Sequence, residues 1–143
     1  MVALLFACTL TMPATAQDVA EYQHCLEYQD VWVLGAKWSG LVEDHFLPED
    51  HLTAYKIIGC ESSGIPSAKN PNSSASGLWQ FIDKTWAWVS SKLKTSGSAM
   101  DPHTSTHFAA FLKYKTPQGW DHWSESAACW KGNYEKNNIQ SIS

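Results

Sequence analysis

The chain has 143 residues and a mass of 15.9 kDa, which one domain with short flanking segments accounts for. A hydrophobic fraction of 44% against 17% charged supplies a packed core and excludes an intrinsically disordered chain. Ten basic residues, all lysine, against fourteen acids give a net charge of −4, which excludes a broad cationic surface for nucleic acid. Without arginine, no bidentate phosphate fork can be built.

The first sixteen residues read as a secretion signal. Val2 to Met12 is a short apolar run, Pro13 breaks it, and Ala14-Thr15-Ala16 offers small side chains before cleavage at Gln17. The pattern departs from the usual one in lacking a positive side chain before Val2. The run falls far short of the ~20 apolar residues of a spanning helix, so no integral membrane segment is expected in the mature chain. Acylation at Cys8 is the weaker alternative, because Phe6 is bulky and little apolar sequence lies upstream. The chain from Gln17 onward keeps Cys25, Cys60 and Cys129, in a compartment where disulfides persist. Three pairings are open, as is a fully reduced set.

The elements that follow are mostly helical. Residues 17–47 read as an N-terminal helical extension: Gln17 to Asp30 is polar, and Trp38, Leu41, Val42 and the His45-Phe46 pair then recur at helical spacing. Pro48, with Glu49 and Asp50 behind it, suits a first helical turn. Leu52, Tyr55, Ile57 and Ile58 give that helix an apolar face, so it should run from Pro48 to Ser62, stopped by Gly64 and Pro66. Gly64 to Ser76 has loop composition, and Gly77 to Ile82 suits a short extended segment. Asp83 is the expected cap of a helix from Lys84 to Leu93. Asp101-Pro102 opens another, with Phe108, Phe111 and Leu112 as its buried stripe. Residues 48–132 are thus the expected domain and 133–143 a tail.

Among fourteen acids, most sit beside other charges, whereas Glu61 ends the apolar Ile57-Ile58-Gly59-Cys60 run where a helix meets a Gly-rich loop. A carboxyl group there loses hydration, which disfavours its charged form and moves its pKa toward the range useful to a general acid. The competing reading is a solvated helix-terminal glutamate. Hydrolysis with two carboxylates needs a second acid about 5 to 9.5 Å away. Asp83 and Asp101 are better explained as helix caps, which leaves Glu61 without an evident partner and favours a single-acid mechanism.

The segments Cys60-Glu61-Ser62-Ser63-Gly64, Asn70-Pro71, Ala75-Ser76-Gly77-Leu78-Trp79-Gln80-Phe81 and Thr85-Trp86, in that order, resemble the lysozyme-like lytic transglycosylases of the soluble type. Gly119-Trp120-Asp121-His122-Trp123 followed by Cys129 is similar to the small secreted resuscitation-promoting-factor branch. The resemblance spans Pro48 to Trp130 and implies a mostly α, lysozyme-like single domain with a catalytic helix and a peptidoglycan cleft. It implies Glu61 as the essential carboxylate. That residue would protonate the glycosidic oxygen between N-acetylmuramic acid and N-acetylglucosamine, then act as base on the 6-hydroxyl to give a 1,6-anhydro product.

It further implies Ser62 and Gln80 as substrate contacts, with a helix-terminal turn and a structural amide bond as their respective alternatives. Trp79, inside the cleft segment, is the expected sugar platform. The family's Ala-Tyr-Asn segment is matched only by Ala109 to Thr116, where Tyr114 is the equivalent aromatic and the Asn is absent. A Cys60–Cys129 bridge is implied as well, leaving Cys25 as an odd thiol, buried or open to an intermolecular bond. Alternatives within this resemblance are a hydrolytic muramidase and a peptidoglycan-binding module without turnover.

His103 and His107 stand four apart on one helix face, but lack the Glu of a zinc protease and a third ligand nearby in sequence, so a solvated face is the better reading. No metal and no cofactor is expected. Neither a phosphate-cradling glycine motif nor a nucleophile elbow is present. Trp86, Trp120 and Trp123 are assigned to core packing; for Trp32, Trp38, Trp88 and Trp130 the sequence makes no choice. The expected protein is thus a secreted or periplasmic monomer whose partner is the peptidoglycan glycan strand.

Overall fold

A computed structural model describes residues 10–131, and of residues 24–30 the backbone alone. Cys8, the side chain of Cys25 and the tail from 133 therefore lie outside the described residues, as does most of the apolar leader. The architecture is mostly helical, and its helices are α1 (Ala16–Ala36), α2 (Ser39–His45), α3 (His51–Ser62), α4 (Asp83–Leu93), α5 (Pro102–Lys115) and α6 (Ala127–Trp130). A 3₁₀ turn over Pro48–Asp50 leads into α3, and another over Gly119–Ser126, kinked at Trp123, leads into α6.

The polar segment Gln17 to Asp30 of the expected helical extension is part of one continuous helix, α1. Thr15 caps it: its hydroxyl accepts from the Asp18 N–H at 3.1 Å while the Asp18 carboxylate accepts from the Thr15 N–H at 2.9 Å. The helix packs more extensively against α3 than any other pair of elements does. Glycine makes this approach feasible: a Cβ on Gly59 would lie 1.4 Å from the Val31 carbonyl oxygen, and one on Gly35 would lie 2.0 Å from that of Tyr55. The contacts run antiparallel, and α1 ends at Ala36 before it can cover Leu52. That residue, expected on the buried face, is accordingly 49% exposed.

The core is built on the opposite face of α3, where Ala54, Ile57 and Ile58 meet Val42, Phe46, Leu78, Trp79, Phe81, Val89, Phe108, Leu112, Trp123 and Trp130. Asp101 caps α5 as expected, accepting from the Thr104 N–H at 2.9 Å and the Thr104 hydroxyl at 2.6 Å. Asp83 does not cap α4. It is the first helical residue, after an extended Ile82, and no side chain caps this end; the Asp83 N–H instead donates to Ser74 Oγ at 2.9 Å.

Gly77 to Ile82 is no extended segment either. Ser76 and Phe81 exchange backbone hydrogen bonds of 3.1 Å each, closing a tight turn between them. Gly77 adopts φ +85°, and a Cβ there would strike the Ala99 carbonyl oxygen at 1.8 Å, so glycine is required on both counts. Gln80 occupies the left-handed region at φ 53° without being glycine, a local strain held by the closed turn.

Candidate active site

Glu61 lies in the last turn of α3, half-buried. The chain reverses immediately after it, with Ser63 in the left-handed conformation as C-cap. Beyond lies a cleft of about 430 Å³ whose lining includes Glu61, Asn70, Gln80, Thr85, His122 and Glu125. Burial pushes the Glu61 carboxyl up to about 7, partly offset by a hydrogen bond from the Ser126 side chain and reinforced by the neighbouring charge of Glu125. A carboxylic acid poised near neutral pH can both give and take a proton there.

The wall opposite α3 comes from the end of the chain. Cys60 and Cys129 form the implied disulfide across 69 residues, with Cα atoms 6.1 Å apart. Because Cys60 precedes Glu61 and Ser126 stands one helical turn before Cys129, the bridge brings the Ser126 hydroxyl to the carboxylate. Ser126 Oγ accepts from Trp130 Nε1 at 3.1 Å and donates its single proton to the Trp123 carbonyl at 3.2 Å, with Glu61 as the competing acceptor. Its neighbour Glu125 is exposed and borders the same cleft. The sequence left Glu61 without an evident acidic partner; Glu125 is the acid that the fold places near it. The overlooked signal was the disulfide itself, since residues a turn before Cys129 must stand beside the residue after Cys60.

His122 also borders the cleft. Thr116 donates its hydroxyl proton to the Leu112 carbonyl at 2.6 Å, so at the 2.8 Å contact with Thr116 Oγ1 the imidazole is the donor, through Nε2–H. Burial holds its pKa below the ordinary histidine value, against the opposing effect of Asp121. The ring thus faces the cleft neutral at neutral pH.

The four expected substrate contacts separate. Gln80 borders the cleft, and its amide nitrogen donates to Ala68 O at 3.2 Å and Gly77 O at 3.0 Å, leaving the side-chain oxygen as the group it can offer a ligand. Ser62 is buried; its hydroxyl donates to Ile58 O at 3.0 Å and accepts from the Gly64 N–H at 3.2 Å, which closes the end of α3. Trp79 is only 1% exposed, with its indole N–H on Thr106 Oγ1 at 3.1 Å and its ring stacked on Phe46 at 5.4 Å. It therefore has no open face to serve as a sugar platform and instead floors the cleft.

Tyr114 does not line the cleft. Its hydroxyl accepts from the Leu47 N–H at 2.8 Å and donates to Asp50 at 2.5 Å, tying α5 to the start of α3. Desolvation and that donation to Asp50 push the phenol up to about 12. His103 and His107 are exposed and pack edge-on around His45, at ring separations of 5.2 and 5.7 Å. Among the described residues, no group of three His, Cys, Asp or Glu is arranged to hold a metal ion.

A helical domain that presents a protonatable carboxyl at a helix end, inside an open cleft rich in amide and hydroxyl groups, belongs to the class of lysozyme-like folds. The family model of the Transglycosylase SLT domain matches residues 49–138, and the chain belongs to that family. It is accordingly a peptidoglycan-degrading enzyme whose substrate is the glycan strand. No curated protein and no solved structure matches the chain. No described helix is long and apolar enough to cross a membrane.

Proposed function

We propose that the protein is a lytic transglycosylase that cleaves the β-1,4 bond between N-acetylmuramic acid and N-acetylglucosamine, with Glu61 as its acid and base. The observation that carries this reading is the half-buried Glu61 carboxyl, raised to about 7 in a cleft of peptidoglycan-enzyme type. Protonated Glu61 gives its proton to the glycosidic oxygen as the C1–O bond breaks, and the N-acetylglucosamine end leaves as an alcohol. The resulting carboxylate takes the proton of the muramoyl 6-hydroxyl, whose oxygen closes on C1. The product is a 1,6-anhydro sugar, Glu61 is protonated again, and no water is consumed.

Gln80, through its side-chain oxygen, accepts from an acetamido N–H of the substrate. A soluble-type enzyme with a disulfide of the resuscitation-promoting-factor kind fits the motif order and the Cys60–Cys129 bridge. The bridge also favours an oxidising compartment, consistent with a signal removed before Gln17.

Glu125 supports a second reading, hydrolysis, in which it activates water against the same bond. Mass spectrometry of muropeptides released from purified sacculi separates the two. Anhydro-muropeptides are expected from the parent and none from Glu61→Gln; reducing-end products, heavier by one water, would replace the first reading with the second. Undiminished lysis by Glu61→Gln would overturn both.

A further inference from the structure

The Glu61 cleft does not end at its own rim. A second groove of about 510 Å³ adjoins it, its lining including Lys84, Trp88, Lys115 and Thr116 together with two residues, Thr85 and His122, that stand at the junction. Thr85 and His122 border both cavities, so the groove lies directly beside the cleft. The firm 2.8 Å bond between His122 and Thr116 fixes the shape of that junction.

The chemistry changes from cleft to groove. The cleft carries Glu61 and Glu125, whereas the groove carries two lysines and no carboxylate, in a chain whose net charge is −4. The same groove is lined by Trp88, one helical turn after Lys84 on α4 and 44% exposed. It contrasts with the 1% exposed Trp79: its indole leans on Phe111 at 5.9 Å and otherwise meets solvent or the Lys92 ammonium, 5.7 Å from the ring centroid. Lys92 does not line the groove, and an exposed cation over a ring is held weakly enough to yield to a ligand. An indole face packs on the apolar face of a pyranose, and neighbouring ammonium groups select an anionic substituent.

We infer that this groove binds a peptide-bearing N-acetylmuramic acid unit of the same glycan strand, beyond the scissile bond. Trp88 packs on the sugar, and Lys84 and Lys115 pair with carboxylates of the peptide stem. The inference rests on the peptidoglycan reading of the cleft and adds to it a preference for strands that keep their stems. It also gives a use to the one tryptophan whose large exposure the core does not explain.

The test compares soluble glycan strands with intact peptide stems against the same strands stripped by an amidase, the lactyl carboxylates that stripping frees being capped as neutral methylamides. Lys84→Ala/Lys115→Ala should raise KM on stem-bearing strands about five- to tenfold with kcat unchanged, and leave stripped strands cleaved as by the parent. The difference should vanish in about 0.5 M salt, where exposed charge pairs are screened. Trp88→Ala should raise KM about tenfold on both substrates. All three positions are exposed or at the surface, so these variants should fold as the parent does. Unchanged KM on stem-bearing strands, or an equal rise on both substrates for the lysine variant, overturns the inference while leaving cleavage intact. Should the parent cleave neither substrate, the cleft reading fails instead. Titration of a purified muropeptide into parent and lysine variant by calorimetry then decides the groove alone: a severalfold weaker affinity in the variant supports it, and equal affinity or no binding overturns it.

Discussion

Replacing Ser126 by alanine tests how the proton on Glu61 is held. Three influences set that carboxyl near 7: burial raises it most, the Ser126 hydroxyl lowers it, and the Glu125 charge raises it. A hydrogen bond to a charged acceptor contributes about 1.5–3 kcal/mol. The Ser126 proton is donated to the Trp123 carbonyl at 3.2 Å, so its contact with Glu61 is a competing one worth less than that range. At about 1.4 kcal/mol per pH unit, losing the contact raises the Glu61 pKa above about 7 by less than about one pH unit. Because the first step requires protonated Glu61, kcat/KM falls above that pKa, and the alkaline limb of the profile should move upward by the same amount.

Glu125→Gln removes the like charge and should move the limb downward. Opposite displacements from adjacent residues cannot come from general loosening of the site. Ser126→Ala should also fold, since Trp130 Nε1 keeps its 3.1 Å bond to the Trp123 carbonyl. The assay is initial-rate kcat/KM on soluble glycan strands from about pH 5 to about pH 9. An alkaline limb that stays in place or moves downward in Ser126→Ala would refute the reasoning.

Glu61 should also couple stability to pH. Its carboxyl titrates near 4.5 when unfolded and near about 7 when folded, so the folded state binds the proton more tightly. Stability is therefore retained below the unfolded value and declines as pH rises through the folded one. Urea denaturation should find Glu61→Gln more stable than the parent at about pH 8, by about 1–2 kcal/mol after allowance for solvent screening, and equal near pH 4. Tyr114→Phe leaves the Leu47 N–H and Asp50 without their shared partner; a loss of about 1–2 kcal/mol in the same assay is expected, with an unaltered pH profile of catalysis. Removing the Cys60–Cys129 bridge with a double alanine variant should cost about 4 kcal/mol by the chain-entropy argument for its loop. A thermal melt that matches the parent's under non-reducing conditions would refute that figure.

Glu61 was legible in the sequence because its apolar run and its Gly-rich sequel are both local, and helix α3 follows from the same residues. The placement of Gln80 was legible through the motif around it, although its left-handed backbone was not. Trp79 illustrates what local reading misses: the cleft motif makes it a candidate contact, but whether an indole is floor or platform depends on Phe46 and Thr106, which are distant in the chain. Tyr114 occupies its motif position yet turns its hydroxyl to Leu47 and Asp50, an environment that only tertiary packing creates. Glu125 and Ser126 lay in a polar stretch with no periodicity to mark them, and only the fold of Cys129 onto Cys60 gives them meaning.

The glycine crossing of α1 and α3 separates two boundaries that are easily equated. Family similarity begins at residue 49, but the backbone of α1 sits where side chains on Gly59 would otherwise stand, immediately behind Cys60 and Glu61. A fragment starting at the family boundary would keep every residue that lines the cleft and still lose the surface on which α3 is seated. Processing before Gln17, by contrast, would remove the Thr15 cap and Ala16 from the start of α1 and leave that seat in place. The hereditary unit recognised by similarity is therefore shorter at its N-terminal end than the mechanical unit that keeps Glu61 in position.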